Sequence, residues 1–592
     1  MAFIVGLVVL VTVISYKIFS SIRLRRHNAE QAALRGCQEP AKAPRKGLLG
    51  TGMLVESIRA TREEWGPVWM HQTLNSIGKT NHTVKASVAD FDLIITRDTE
   101  NIKAMFATQS QDFDIGTHRE NAFKSLLGLG VMTTRQERWK HSRALVRPQF
   151  TRDNLADLDL FQRHLDALLQ RIPRMEDGWT AKVDLSPLFF NFTLDTGSEF
   201  LFGQSVHSQT PEKTPAMWDA DAPDLRNFGH HLDKAKHMID RRGALTKYGW
   251  LLRDSSFPKH CKAVQDCVDW FVKQRLNRGS DDEKVIETPS GKPKFVLLDE
   301  LAKDTSDPLE LRCELLNILH ASRDTTASLM GWSFYFLARY PDVFKTLREE
   351  IIDNFTANPE SEITFNKLWA CQYLQYVVKE TIRVVGVVPM NERAATCDTT
   401  LPRGGGADGL SPVFVPKGTQ VLIPTYSMQH REDIWGPDVD EYKPERWQDR
   451  KFGWDFIPFG GGVRQCLGQQ FARTETMYVL ARALQIFDQI ENMEVPGPVK
   501  MHHTIENRSG TGVQVRLHLA SAESKHCREQ PTSELKLGPE YDLGLGADRP
   551  MVAPPTTPAA YCRDEEKQYE LKLSKDYDLE LGADRPEEAM VV

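Results

Sequence analysis

Ten residues near the end of the chain, Phe459-Gly-Gly-Gly-Val-Arg-Gln-Cys-Leu-Gly468, restrict the fold more than any other stretch. Three successive glycines do not settle into a helix or a flat strand, so they form a tight loop whose backbone can approach a flat ligand. From Gln469 the pattern turns helical and mostly apolar through Phe471, Met477, Leu480 and Leu484, which puts Cys466 at the N-terminal end of a buried helix. Backbone N–H groups and the helix dipole favour an anion there, so the sulfur is expected as a thiolate, the form that binds metal. Gly468 leaves room for a broad planar group, and Arg464 supplies a cation suited to a carboxylate at that group's edge. The plainer alternative is that Cys466, one of nine cysteines, is a small buried hydrophobe.

The remaining cysteines form no C-x-x-C pair and are odd in number in total, which argues against a disulfide framework and for a reducing compartment. A net charge of −7 on 592 residues gives no basic stripe of the kind nucleic-acid binding needs. Residues 1–22 are apolar apart from Lys17, close to the ~20 residues that span a bilayer. Arg23, Arg25 and Arg26 follow at once and nothing basic precedes, so the positive-inside rule puts the rest of the chain in the cytosol. Residues 23–49, basic and containing Pro40 and Pro44, read as a linker.

Further along, residues 84–95 suggest strands, and helical patterns then dominate. Trp139 and Arg143 are four apart on one helical face, which is also what an ordinary surface pair looks like. Asp307-Pro308-Leu309-Glu310 predicts a helix start with an Asp cap and a Glu closing a capping box. That helix should run about thirty residues, buried all round. It carries the polar block Ser322-Arg323-Asp324-Thr325-Thr326. Burying such groups without partners costs roughly 2–7 kcal/mol each, so the block is expected to face a wet functional cavity. Alternatively its hydroxyls bond to neighbouring carbonyls and bend the helix. Glu380 and Arg383, three apart on another helix, would ordinarily be a solvated contact.

Taken together, the cysteine loop with Phe459, Gly462, Arg464, Cys466 and Gly468, the block ending Asp324-Thr325-Thr326, Glu380-x-x-Arg383 and Pro444-Glu-Arg-Trp447 resemble the cytochrome P450 family in motif and order. The resemblance covers residues 50–520. It implies a mainly helical fold with small β-sheets, preceded here by one transmembrane helix, and haem b with Cys466 as the axial ligand of its iron. It further implies that Trp139, Arg143, Arg393 and Arg464 meet the haem propionates. Asp324 and Thr325 would manage protons at the oxygen side, and Glu380, Arg383 and Arg446 would support the cysteine loop. Ser322 stands where the family has glycine, which puts the helix groove at that point in question.

The implied reaction is oxygen activation and hydroxylation of an apolar small molecule. Electrons would come from NADPH through a separate cytochrome P450 reductase, since no flavin or nicotinamide fingerprint follows Cys466. Microsomal members suggest an endoplasmic reticulum membrane site with the catalytic domain cytosolic and membrane lipid as a partner. The phrases at 142–151, 193–202 and 468–472 are similar to the fungal alkane- and fatty-acid-hydroxylating branch, and terminal hydroxylation of long chains is the expected activity. A tailoring oxidase of secondary metabolism is the rival enzyme, and a haem-binding sensor or scaffold the rival of another class. Residues 521–592 change character: Glu534–Pro550 recurs as Glu570–Pro586 across a Pro-rich link, too few copies for a solenoid, and a disordered tail is expected.

Overall fold

The computed structural model describes residues 2–45, 47, 50–88, 91–151, 154, 157–210, 223–244, 246–277 and 294–520. The duplicated tail lies outside them.

Helices dominate, as expected, and one of them organises the rest. The central helix Pro308–Leu337 is 30 residues long, roughly 45 Å at 1.5 Å per residue. Asp307 caps it by accepting from the Leu309 N–H at 3.0 Å, and Pro308 occupies the first position, where its missing donor costs nothing. The expected capping box does not close. The Asp307 N–H turns to Thr305 Oγ1, and Glu310 instead reaches His141 Nε2 at 2.6 Å on the helix Gln136–Val146. A long-range partner has taken the side chain that a local motif would have used.

Against the central helix pack Leu185–Phe202, Phe257–Asn277 and Gln469–Ile486, all contributing to one continuous apolar core. Two further helices, Thr117–Leu127 and Phe228–Ala244, lie against each other over one side of it. Opposite the bundle is a six-stranded sheet in the spatial order Ala41–Lys42, Thr83–Val88, Phe91–Thr96, Gln420–Ile423, Asn391–Ala395, Phe113–Asp114. Its register sets Arg393 against Val421 and Asp114 against Ala394, so a cation and a carboxylate from distant parts of the chain arrive at one edge.

Beside the central helix, the hairpin 501–509 is stitched down through Asn507. Its carbonyl accepts from Ser328 Oγ at 2.5 Å and Trp332 Nε1 at 2.7 Å, while its own amide donates to the Val385 carbonyl at 2.6 Å.

The N-terminal region differs from expectation in two ways. The helix Ala2–Leu34 continues unbroken past Arg23, Arg25 and Arg26, so the first part of the expected linker is helical. Residues 41–42 then pair in parallel with 84–85, placing the start of the folded unit before residue 50. Among the described residues no helix is long and apolar enough to cross a membrane. The side chains at positions 8, 10, 13, 14 and 18 are outside that set, and those described between Phe3 and Ile22 are exposed.

Candidate active site

The cysteine loop owes its shape to glycine and to one backbone bond. Gly462 adopts φ +64°, and a Cβ there would lie 1.7 Å from the Phe106 carbonyl oxygen, so no other residue fits. A Cβ on Gly461 would meet the Trp454 ring at 2.6 Å. The Cys466 N–H then donates to the Phe459 carbonyl at 2.9 Å, closing the loop, and Gly468 is the N-cap of Gln469–Ile486. On Gly468 a Cβ would find only the Phe150 ring edge, at 3.9 Å, so that side of the loop has space beside it.

Cys466 is accessible at its surface, yet enough protein surrounds it that burial pushes its thiol up, against the opposing pull of the Gly468 N–H and Arg143. Its open face therefore looks onto an interior space. Without a metal, burial outweighs what the helix end offers the anion; a coordinated metal cation removes the proton outright.

Around that space the structure gathers positive charge. Arg464 pairs with Asp114 at 2.6 Å, donates to the Thr134 carbonyl at 2.9 Å, and stacks over the Trp139 ring at 4.3 Å. Arg143, on the same helix as Trp139, donates to the Gln465 carbonyl at 3.1 Å and so ties that helix to the cysteine loop. Arg393 lies over the Phe106 ring at 4.4 Å and, among the described residues, donates only to its local neighbours, Asn391 Oδ1 and the Glu392 carbonyl. Burial, and after it repulsion from Arg119 and Arg464, pushes Arg393 down to about 9. Burial likewise brings Arg464 down to about 10; Asp114 opposes this, while Arg119 and Arg143 add to it. Trp139 and Arg143 are thus not an isolated surface pair.

The donor set fits a haem edge. Cationic guanidinium groups that repel one another in a buried cluster are stabilised by an anion, and bidentate carboxylate binding is what arginine does best. Together with a thiol facing the same interior and a loop side left open at Gly468, the residues present suit a flat, iron-bearing dianion.

Below the loop, the supporting network is fully connected. Glu380 accepts from Arg383 Nη2 at 2.8 Å and Nε at 2.9 Å, from the Lys443 N–H at 3.1 Å, from Arg446 Nε at 3.3 Å and from Trp447 Nε1 at 2.9 Å. Arg383 spends its other donors on the carbonyls of Gln429, Val439 and Glu441. Arg446 adds Asp438 at 2.8 Å. The pair at 380 and 383 is 0% exposed, the opposite of a solvated contact.

On the central helix the polar block behaves differently from expectation. Thr325 Oγ1 donates to the Ala321 carbonyl at 2.7 Å, the local bond that was the plainer alternative. Ser322 donates to the Leu319 carbonyl at 3.3 Å, and its hydroxyl lies 3.6 Å from where a Cβ on Gly197 would stand, so a glycine on the neighbouring helix makes room for it. Asp324 does not face a wet cavity: it is buried and ion-paired with Lys236 Nζ at 2.8 Å and Arg323 at 3.3 Å. Burial alone would push its carboxyl up, but Lys236, Arg323 and His320 outweigh it and hold it well below the usual range. Lys236, on Phe228–Ala244, also grips Glu506 of the hairpin at 2.6 Å. Its own charge is held up by Asp324 and Glu506 against the penalty of burial.

Lys236, Glu506, Asp114 and Arg119 were not singled out from the sequence. A signal exists for two of them: Lys236 lies within the buried stripe Leu232, Ala235, Ile239, and Arg119 precedes Ala122, Phe123, Leu126. A cation in an apolar stripe asks for a partner inside.

A family model for cytochrome P450 matches residues 64–509. The chain is 42% identical over 512 residues to "Cytochrome P450 monooxygenase g430" of Fusarium sp, covering 86% of this chain and 89% of that one. It is 42% identical over 443 residues to "Cytochrome P450 52A13" of Debaryomyces hansenii, covering 73% and 83%. In structure it is similar to the "cytochrome P450DA heme domain", with TM-score 0.66 at 18% identity over 83% of this chain and 99% of that one. Fold, loop and relatives define a monooxygenase of the kind that uses haem. The chain belongs to the cytochrome P450 family.

Proposed function

We propose that this enzyme hydroxylates long-chain fatty acids or n-alkanes at the terminal carbon, taking electrons from NADPH through a separate cytochrome P450 reductase. The observation that carries the reading is the set of phrases at 142–151, 193–202 and 468–472, supported by 42% identity to the Debaryomyces relative. Haem, when bound, supplies the oxygen-activating iron; the chain's own residues arrange everything else. Cys466 Sγ would bind that iron, with Phe459 and Gly468 framing the loop. Trp139, Arg143, Arg393 and Arg464 would hold the carboxylates of the haem edge. Glu380, Arg383 and Arg446 fix the segment that leads into the loop.

On the other side, Thr325 has committed its proton to the Ala321 carbonyl, which leaves its oxygen free to accept from a water. Asp324 Oδ1 accepts no hydrogen bond among the described residues but faces Arg323 at 3.3 Å, and it can take a proton only when Lys236 no longer helps Arg323 to hold the carboxyl strongly acidic. Proton movement through Asp324 therefore requires the Lys236 contact to lengthen, and the position of Phe228–Ala244 governs it. The N-terminal helix, with its exposed apolar side chains, anchors the enzyme in the endoplasmic reticulum membrane with the catalytic domain in the cytosol.

A second reading, oxidation of an oxygenated secondary metabolite, is favoured by the orphaned polar atoms His320 Nδ1, Thr326 Oγ1 and Thr504 Oγ1 on the central helix and hairpin. Hydrogen-bonding substrate groups would answer them, and an alkane would not. The experiment is reconstitution in vesicles with the reductase and C12–C18 acids and alkanes. Terminal alcohols are expected, with affinity rising by about 0.8 kcal/mol per added methylene until the channel fills. Turnover of a polycyclic substrate alone would replace the first reading with the second.

A further inference from the structure

The segment 128–134 joins the helix Thr117–Leu127 to the helix that carries Trp139 and Arg143, and the central helix fixes it from below. Glu314 accepts from the Val131 N–H at 3.0 Å. Asn317, on the same helix, accepts from the Met132 N–H at 2.9 Å, and its amide donates to the Leu127 carbonyl at 3.0 Å. Two successive backbone donors, and the carbonyl just before the segment, are thus taken by two side chains that are 1% and 0% exposed. Glycine permits the approach: a Cβ on Gly130 would stand 2.6 Å from Asn317 Nδ2.

At the far end of the segment is Thr134, whose carbonyl accepts from Arg464, two residues before Cys466. Between the two ends lies a tight turn. The N–H groups of Thr133 and Thr134 both return to the Gly130 carbonyl at 3.0 Å, so a displacement at 131–132 is carried to the carbonyl that Arg464 uses. The Gln136 N–H, just beyond, donates to Asp114, the carboxylate that pairs with Arg464. The helix that bears the polar block at 322–326 therefore also reaches, about two turns earlier, the cation of the cysteine loop.

Glu314 does this without a counter-ion: among the described residues no cation forms an ion pair with it. Burial pushes its carboxyl up to about 7, and Glu310 on its own helix adds to this, while Ser142, the Val131 N–H and His141 of Gln136–Val146 oppose it. The segment 128–134 carries no charge, and Arg312 is engaged by Asp269.

We propose that Glu314 and Asn317 are positioning residues for the cysteine loop: by fixing 128–134 they hold the carbonyl on which Arg464 rests, and so tie the haem edge to the central helix. The inference rests on reading Arg464 as part of that edge, and the test separates the two.

Haem release from purified holoprotein to an excess of apomyoglobin would be timed for wild type, Arg464→Gln, Asn317→Ala, the double variant and Glu314→Gln, with amide exchange of Val131 and Met132 read on the same samples. Arg464→Gln removes a charge-assisted contact and should speed release on the order of tenfold. Asn317→Ala should speed it less and raise exchange at Met132. Because Asn317 acts through Arg464, the double variant should release haem little faster than Arg464→Gln, whereas independent structural effects multiply. Glu314→Gln keeps an oxygen for the Val131 N–H and removes the titration. A closed segment that binds this proton more tightly than an opened one opens more readily as pH rises, so the ratio of wild-type to Glu314→Gln release should climb between about pH 5 and pH 7 and level off above it. That ratio decides alone if Asn317→Ala yields no loaded protein. If Arg464→Gln speeds release while the Asn317→Ala effect is absent or multiplies with it, or the ratio is flat with pH, the positioning role is overturned and the edge reading stands. If Arg464→Gln matches wild type, both are overturned.

Discussion

Two buried polar regions flank the site, and they are built on opposite principles. Around Glu380 and Arg383 every charged donor meets an acceptor, most of them backbone carbonyls of 429–441, so a single arrangement satisfies all partners. At the junction of the central helix, Phe228–Ala244 and the hairpin 501–509, Asp240 Oδ1, His320 Nδ1, Thr326 Oγ1, His503 Nδ1, Thr504 Oγ1 and Asn507 Oδ1 all lack hydrogen-bond partners among the described residues. A low local dielectric rewards the first design and penalises the second. The connected region is proposed to hold the cysteine loop still. The unsatisfied region has partners to gain when substrate or water enters and Lys236 moves, and that is where the working cycle of the enzyme needs more than one state.

Breaking the connected side should have the larger effect. Arg383→Ala leaves Glu380 buried without its main cation and frees carbonyls that have no other donor, a loss of about 3–5 kcal/mol. Thermal unfolding is expected to drop sharply, with little haem-loaded protein recovered. A stable, fully loaded variant would mean that the network is not what fixes the loop.

On the unsatisfied side, Lys236→Met should cost less, about 1–3 kcal/mol near neutral pH, because the carboxyl groups of Asp324, Glu506 and Asp240 can share protons once the cation is gone. Asp240 is already pushed up by burial despite Lys236. Without the lysine, Asp324 and Glu506 should titrate above their unfolded values. The folded state then binds more protons than the unfolded one between those values, so stability falls as pH rises. The deficit of the variant, read as the difference in unfolding free energy, should therefore be small near pH 5 and full near pH 8. A deficit that shrinks on raising the pH would contradict the ion-pair assignment.

The same contrast explains what could be read from the sequence. The cysteine loop was legible because its function lies in local spacing, three glycines ahead of Cys466, whereas the spacing of Glu380 and Arg383 alone reads as a solvated contact and only the family resemblance marked the pair. Strands near 84–95 and the length of the central helix followed from pattern as well. What was not legible depends on who meets whom across the fold. Nothing local to Asp324 announces Lys236, nothing near Glu310 announces that His141 will draw it away from the cap, and Arg119 acquires meaning only once β-pairing has brought Asp114 and Arg393 together. Thr325 could be read either way, and its bond to Ala321 leaves its oxygen able to accept from a water. Residues 41–42 look like linker by composition and become strand because Val84 and Lys85 offer an edge.

The measurement closest to the centre of this account is the absorption spectrum of the reduced, carbon monoxide-bound protein, taken for wild type and for Cys466→Ala. Wild type should show the long-wavelength Soret band diagnostic of a thiolate opposite the bound gas, and the variant should lose it while retaining the fold by circular dichroism. The same band in Cys466→Ala would mean that another residue ligates the iron, and the site built here around Cys466 would be wrong.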